Sequence, residues 1–522
     1  MIRFVVIGIT DNPQPWFPPE VLQIIKQGRV FSGGRRHHEI VAPLLPEGAE
    51  WIDITVPLDA VFQQYRSLTP SLSLGGEGSG QTQRQKSQPQ NAQGDKLSTP
   101  LSSERGAGGE ALIVFASGDP LFFGFANTIR RKMPDAEVTV YPAFNSLQLL
   151  AHRLVMTYHD MRIVSLTGRP WPAFDRALIE RVPKIGILTD KEHTPAAIAQ
   201  RMLEYGYTYY KMYVGEHLGN PSLEKVSILT LDEAAHREFS MPNCVIISLE
   251  FIVNSEELSE KSVECRVDSV EFATASDDCG ERAAVANSSL FTLHSTLNSD
   301  AVANSSLFTL HSSLNPDAVA NSSLFTLHSS LSKPFGIPDS SFALLDGREK
   351  MITKMPIRLL TLQALDLPSR HVFWDIGACT GSVSIEARLQ FPHLQVEAFE
   401  IRPECEAIIR ENARRHGAPG IGIHIGDFLN SQFSILHSQF PPPDAVFIGG
   451  HGGHLKEIMA KVLTYLAPDG IIVMNSVIAP KVTRDSQQLW EEACAELGLT
   501  QDPPTRIQLN DHHPITILRC RR

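Results

Sequence analysis

The chain has 522 residues, too many for one hydrophobic core, so two or three domains are expected. Its 42% hydrophobic and 20% charged residues are those of ordinary globular material, and a formal net charge of −12 argues against general nucleic-acid binding, whose sequence-independent affinity comes from neutralising phosphates. No apolar run reaches bilayer length, and seven scattered cysteines without C-x-x-C spacing argue against a disulfide framework or a zinc site and for the reducing cytoplasm.

Phe4 to Ile9 is an apolar run too short for a secretory signal core, and it leads into the turn Thr10-Asp11-Asn12-Pro13. Next comes the basic stretch Gly33-Gly34-Arg35-Arg36-His37-His38. Arg35, Arg36 and His37 there either grip ligand carboxylates, since Arg presents a bidentate fork, or form a solvated loop. Strand-like segments at Trp51–Val56 and Ala111–Phe115 flank residues 71–110, a Gly, Ser, Gln and Pro stretch that cannot bury enough apolar surface to offset its ordering entropy. It reads as a disordered insertion. The second of these strands runs into Ser117-Gly118-Asp119-Pro120-Leu121-Phe122-Phe123, a tight turn followed by aromatic side chains that supply a flat apolar wall. Tyr141-Pro142-Ala143-Phe144-Asn145-Ser146 follows the next strand, and strands and helices alternate over residues 1–254 as a whole.

Residues 255–333 read as a linker. A 17-residue unit starting at Ala284 recurs at Ala301 and Ala318, and copies this similar point to recent duplication, not to a capped solenoid. Asn287, Asn304 and Asn321 begin Asn-x-Ser tripeptides that carry no meaning in a cytoplasmic protein.

Residues 334–522 show a clearer parallel α/β rhythm, with strands expected near 371–375, 395–399, 422–425, 443–448 and 470–474 and a helix over Pro403–His416. The strand Val372–Ile376 enters a small-residue turn, Asp375-Ile376-Gly377-Ala378-Cys379-Thr380-Gly381, that opens a helix and lets backbone N–H groups approach a nucleotide-like ligand. Glu400 ends the next apolar strand, and Gly426-Asp427-Phe428 follows a third. Open α/β sheets bind ligands at such strand ends. Together these residues resemble the S-adenosylmethionine site of Rossmann-type methyltransferases, in which the strand-end carboxylate takes the ribose hydroxyls.

Two finer resemblances follow. The C-terminal block is similar to the decarboxylating methylases of cobalamin biosynthesis through Pro338-Asp339-x-x-Phe342, Thr353-Lys354-x-x-x-Arg358, the glycine turn and the loop Gly449-Gly450-His451-Gly452-Gly453. That resemblance implies cofactor contacts from Thr353, Asp375, Gly377, Ala378, Cys379, Thr380, Gly381, Glu400, Asp427 and Phe428. Cys379 stands where the family has a glycine, which would crowd the methionine end of the cofactor. His451 replaces a small residue and is either a carboxylate or proton partner or a surface loop residue. The N-terminal block resembles the tetrapyrrole methylases through Gly118-Asp119-Pro120, Phe123 and Ser146, which there line a cofactor held between two lobes. It departs at its start, where Gly8 alone survives of a glycine-rich loop.

The fold expected is therefore α/β, a two-lobed tetrapyrrole methylase fold followed by a Rossmann-type methyltransferase fold. The pair of resemblances implies C-methylation of a small-molecule tetrapyrrole at macrocycle positions 5 and 15, with loss of CO2 from the position-12 acetate. S-adenosylmethionine is the implied cofactor, with no metal, nucleic acid or membrane, and the family suggests a homodimer or tetramer. Decarboxylation calls for a general acid near the ring, for which His451, His454 and Lys354 are candidates. The rival readings are a Rossmann methylase acting on RNA or protein, with the first half as a recognition module, and a non-catalytic scaffold assembled through the repeats.

Overall fold

The computed structural model describes residues 2–68, 111–249, 335–348, 351–430, 441–477, 486–509 and 514–522. The insertion at 71–110, the repeats and their Asn-x-Ser tripeptides lie outside the described residues. Met1–Leu249 and Phe335–Arg522 form one compact unit.

Five parallel strands open the chain: β1 Arg3–Ile9, β2 Val30–Gly33, β3 Glu50–Asp53, β4 Leu112–Ser117 and β5 Glu137–Tyr141, in the order β3-β2-β4-β1-β5. β1 and β4 are buried along almost their whole length, which is why RFVVIGI and LIVFAS read as unbroken apolar runs. β1 lies between β4 and β5, so the loops leaving the carboxyl ends of these three strands converge.

A second sheet forms the other lobe, from β6 Arg162–Ser165, β7 Lys184–Leu188, β8 Tyr210–Glu216, β9 Lys225–Leu229 and β10 Asn243–Leu249, in the order β6-β7-β10-β8-β9. Only its β6–β7 pair is parallel. Helices start where local chemistry directs. Asn145 and Gln148 exchange side-chain and backbone bonds in a capping box ahead of the helix Ser146–Arg153, and Thr194 caps Pro195–Glu204.

The C-terminal sheet runs β13-β12-β11-β14-β15-β18-β16, with β17 also on β18. Its parallel strands are β11 Val372–Ile376, β12 Gln395–Glu400, β13 Ile421–Ile425, β14 Ala445–Ile448 and β15 Ile471–Val477. All five fall within a few residues of the expected positions. β16 Thr500–Gln501, β17 Thr505–Ile507 and β18 Ile515–Arg521 add an antiparallel edge that the sequence reading did not contain. β16 and β17, of two and three residues, carry too little periodicity to be read, whereas the seven-residue β18 was long enough and was overlooked. The helix Cys405–Arg415 buries Cys405, Ile409, Asn412 and Ala413, one face at helical spacing.

The N- and C-terminal halves share a core. Ile179 packs in one cluster with Ile337, Phe342, Ile385, Leu389 and Ala418. Beside it the fully buried Asp175 carboxylate takes both Arg201 nitrogens at 2.7 Å. A methyl at Gly420 would lie 2.8 Å from Asp175 Oδ2 and 3.1 Å from Arg388 Nη2, which places the guanidinium of the C-terminal half beside that carboxylate. Tyr207 donates its hydroxyl to the Gly417 carbonyl at 2.7 Å, and Arg414 Nε donates to Glu204 at 2.8 Å.

Candidate functional sites

In the C-terminal half the chain reverses direction across the sheet between β11 and β14, the switch point at which open α/β sheets bind ligands. The turn after β11 holds Gly377, Cys379 and Gly381 at φ +79°, +50° and +72°. Its geometry is pinned from β12: the Gly377 and Ala378 amides donate to Phe399 O at 2.8 and 3.1 Å, and the Cys379 amide donates to Glu400 Oε2 at 2.8 Å. Glu400 Oε1 accepts Arg402 N and Nε at 3.1 and 3.0 Å. Opposite, a methyl at Gly377 would meet Gly450 N at 2.7 Å, so the two turns meet backbone to backbone.

Asp375 is buried beneath this turn. Its Oδ2 accepts the Ser384 amide at 3.1 Å and hydroxyl at 2.6 Å, whereas Oδ1 is buried without a partner. Burial raises its carboxyl to about 6, against the pull of the Ser384 bonds. The sign for stability follows. Between about pH 4 and 6 the folded chain holds a proton that the unfolded chain has released, so stability falls as pH rises through that window and is level above it. Replacing Asp375 by Asn is expected to flatten that slope, worth about 2–3 kcal/mol, in urea unfolding followed from pH 4 to 7. A slope unchanged in the variant would assign it to another group.

The remaining candidates occupy distinct places. Cys379 sits in an apolar cluster with Leu345, Cys405 and Ile409, and burial pushes its thiol up. Thr380 is buried, its carbonyl taking Asn412 Nδ2 at 2.9 Å. Phe428 packs edge-on against Trp374 and Phe399, and Asp427 accepts the Leu429 amide at 3.0 Å. Thr353 offers its carbonyl to Arg358 Nη1 at 2.8 Å. Lys354 lies 3.8 Å from Asp339. His451 is half-buried in the glycine loop, accepts the Gly453 amide on Nδ1 at 3.2 Å, and is lowered by burial and by His454. His454 is exposed at the start of the helix Leu455–Leu463.

The lead-in motifs are joined by Glu386, a residue the sequence reading missed. Arg358, fully buried, bonds Glu386 at 3.2 Å, Asp339 at 3.2 Å and the Ile337 carbonyl, and Glu386 in turn accepts the Gly336 and Ile337 amides at 2.9 and 3.0 Å. Glu386 lies inside an ordinary helix, and no local pattern marks it.

In the N-terminal half the loops after β1, β4 and β5 and the second sheet enclose a cavity of about 320 Å³. Gly118, Phe123, Ser146 and Arg36 line it, together with Asp11 and Asn145; Asp119, Pro120, Arg35 and His37 do not. The loops touch directly, since a methyl at Gly8 would lie 2.0 Å from Gly118 O and 2.5 Å from Ala143 N. Gly118 adopts φ +60°, and the Asp119 side chain accepts the Leu121 amide at 2.8 Å, closing the Gly-Asp-Pro turn. Phe123, at φ +54° and half exposed, lies under the Arg169 guanidinium at 5.3 Å.

The basic stretch forms the helix Arg35–Val41. Arg35 points outward and pairs with Glu39 at 3.2 Å. Arg36 turns inward, with Nη1 3.0 Å from Asp11 and Nη2 donating to Ser117 Oγ at 2.9 Å. His37 contacts the same Oγ at 2.9 Å, and burial together with the Arg36 charge pulls its imidazole down to about 4, so it is neutral at pH 7. His217, following β8, places Nδ1 3.0 Å from Asp11 Oδ2. Asp11 and His217 were both missed, because they are 206 residues apart in the chain.

Each site can take an adenosyl ligand on physical grounds. The C-terminal one pairs a cradle that a methyl would fill with a strand-end carboxylate and an unpartnered buried oxygen of Asp375. The N-terminal one pairs a closed backbone turn with a cavity large enough for a small molecule.

Comparison with known proteins gives matches in both halves. Residues 3–235 match the family "Tetrapyrrole (Corrin/Porphyrin) Methylases" and residues 346–519 match "Precorrin methyltransferase domain". A precorrin-6Y C(5,15)-methyltransferase [decarboxylating] of Sinorhizobium sp is 24% identical over 494 residues, 94% of this chain and 88% of that protein. A cobalt-precorrin-6B C(15)-methyltransferase (decarboxylating) of Salmonella typhimurium is 39% identical over 185 residues, 34% of this chain and 93% of that protein. A cobalt-precorrin-7 C(5)-methyltransferase of the same organism is 28% identical over 138 residues, 26% of this chain and 66% of that protein.

Proposed function

Since the chain belongs to the precorrin methyltransferase family, with a tetrapyrrole methylase domain ahead of the precorrin methyltransferase domain, we propose that it methylates one precorrin intermediate of cobalamin biosynthesis twice. The N-terminal site serves macrocycle position 5. The C-terminal site serves position 15 and releases CO2 from the position-12 acetate. The observation that carries this reading is the presence in one chain of two separate glycine cradles, Gly8 against Gly118 and Gly377 against Gly450.

S-adenosylmethionine, when bound, supplies an electrophilic methyl group on a sulfonium. In the C-terminal half the 377–381 turn, Glu400 and Phe428 would hold it, with Arg402 moving off Glu400 to free that carboxylate. In the N-terminal half Gly118, Phe123 and Ser146 would do so. The meso carbons of the substrate are enamine-like nucleophiles, so neither half needs a protein nucleophile and the main task is orientation. For decarboxylation the conjugated ring is the electron sink once it is protonated; of the three candidates His451 lies half-buried in the loop that meets Gly377, but burial and His454 disfavour the protonated imidazole that such a donor needs. Lys354 is drawn toward Asp339, and His454 is exposed. We further read the chain as a homo-oligomer of the reducing cytoplasm with no nucleic-acid partner; the five described cysteines are all free and buried.

Incubating the purified chain with S-adenosylmethionine and precorrin substrate, with and without cobalt, should give two methyl gains and one CO2 loss by mass. S-adenosylmethionine binding without tetrapyrrole methylation would favour an RNA or protein methylase. Gly8→Ala should leave one methyl gain with CO2 loss, because the added carbon drives apart the Gly118 and Ala143 loops; its N-terminal activity is expected to fall at least ~100-fold. Two methyl gains at the normal rate from that variant would show that the loop contact is dispensable.

A further inference from the structure

Two ionisable side chains line the N-terminal cavity, Arg36 and Asp11. The substrate class proposed above is a polycarboxylate, which an arginine suits and an aspartate repels. An acid in that wall does not attract such a substrate, though it suits the positive charges of the cofactor, and its geometry indicates a further use. Asp11 is held from both lobes: Arg36 lies 3.0 Å from Oδ1, and His217 Nδ1, on the loop after β8, lies 3.0 Å from Oδ2. Only 9% of the Asp11 side chain is exposed. His217 adopts φ +49°, a left-handed conformation costly for a side-chain-bearing residue, of the kind that clusters at functional sites. The approach is tight beside it as well, for a methyl at Gly219 would lie 3.1 Å from Thr10 Cβ.

Methylation of a meso carbon leaves a base to be found. The carbon attacks the sulfonium methyl, a C–C bond forms, the S–CH3 bond breaks and its electron pair stays on sulfur as the thioether. The methylated carbon still carries its hydrogen. Breaking that C–H bond returns its electron pair to the ring π system, and the proton needs an acceptor. Arg36 stays protonated, Ser117 Oγ is a weak base bound to Arg36 and His37, and His37 does not line the cavity.

We propose that Asp11, oriented by His217 across the lobe boundary, is the proton acceptor of the N-terminal methylation. Asp11 is the catalytic residue and His217 a positioning residue that fixes the carboxylate from the second lobe. The assignment rests on the functional reading above.

The test uses the full chain with S-adenosylmethionine and precorrin substrate, comparing wild type, Asp11→Asn, Asp11→Glu and His217→Gln. Asp11→Asn should lower the turnover of the N-terminal methylation about 100-fold or more, with the KM for S-adenosylmethionine and calorimetric binding of S-adenosylhomocysteine within about threefold of wild type. The C-terminal methyl gain and CO2 loss in the same chain should persist, showing that the protein is folded. Asp11→Glu, which keeps the carboxylate, should recover part of the rate, and His217→Gln should fall about tenfold. The proposal is overturned if Asp11→Asn turns over within threefold of wild type. It is equally overturned if rate and nucleoside affinity fall together, since Asp11 would then be a structural tie between the lobes. A wild-type chain that methylates no tetrapyrrole overturns the functional reading itself, and the assignment with it.

Discussion

Arg358→Met is expected to unfold the C-terminal half before any other single change described. Arg358 and Glu386 are both fully buried, and the guanidinium also bonds Asp339 and the carbonyls of Ile337 and Thr353. Taking two charges out of water is repaid only while both are present, so deleting one leaves the other buried and uncompensated, at about 3–5 kcal/mol. For a unit of this size that corresponds to a fall on the order of 10 °C in its thermal transition. Glu386→Gln in the same background should restore part of the loss, because the charge disappears while an acceptor for the Gly336 or Ile337 amide remains. A drop of less than about 3 °C in Arg358→Met would mean that solvent reaches the pair and screens it. The methyl-transfer sites need not be touched for activity to vanish at 37 °C, so unfolding must be measured beside turnover.

Gly377→Ala should abolish the C-terminal chemistry while leaving the chain folded. At φ +79° an alanine is strained by about 1–2 kcal/mol, a tolerable loss of stability. The steric consequence is larger for function, since the new methyl would sit 2.7 Å from Gly450 N and 3.1 Å from Gly450 O. Both turns of the switch point would have to separate, and a displacement near 1 Å at a site that works by orientation removes about two orders of magnitude in rate. Product masses should then show one methyl gain, from the N-terminal half, and no loss of CO2. Retention of both would show that the β11 turn yields without moving its ligand groups. Together with Gly8→Ala this gives two complementary single-site chains whose products differ by the CO2.

What was legible in the sequence was whatever is local. β1, β4 and β11 announce themselves because strands buried on both faces must be apolar throughout, and the turn after β11 does so because its left-handed positions call for glycine, Cys379 being the exception. The helix Cys405–Arg415 was visible by its apolar spacing. What was hidden depends on distance along the chain. Glu386 meets Arg358 across 28 residues, Asp11 meets His217 across 206, and β18 finds β15 only once the sheet exists. The basic stretch shows the same limit: Arg35 and Arg36 are identical neighbours in sequence, yet helical geometry turns one to solvent and the other into the cavity wall.

The common core of the two halves changes what the long connecting segment is for. In a chain whose catalysts merely share a tether, linker length sets how often they meet, and lengthening it by whole repeats would dilute one site from the other. Here Ile179, Asp175 and Tyr207 already engage the C-terminal half, so separating the halves would expose apolar surface and leave Asp175 without the neighbouring Arg388. Proximity is a property of the interface. The number of 17-residue copies in the connecting segment therefore does not set how often the two halves meet.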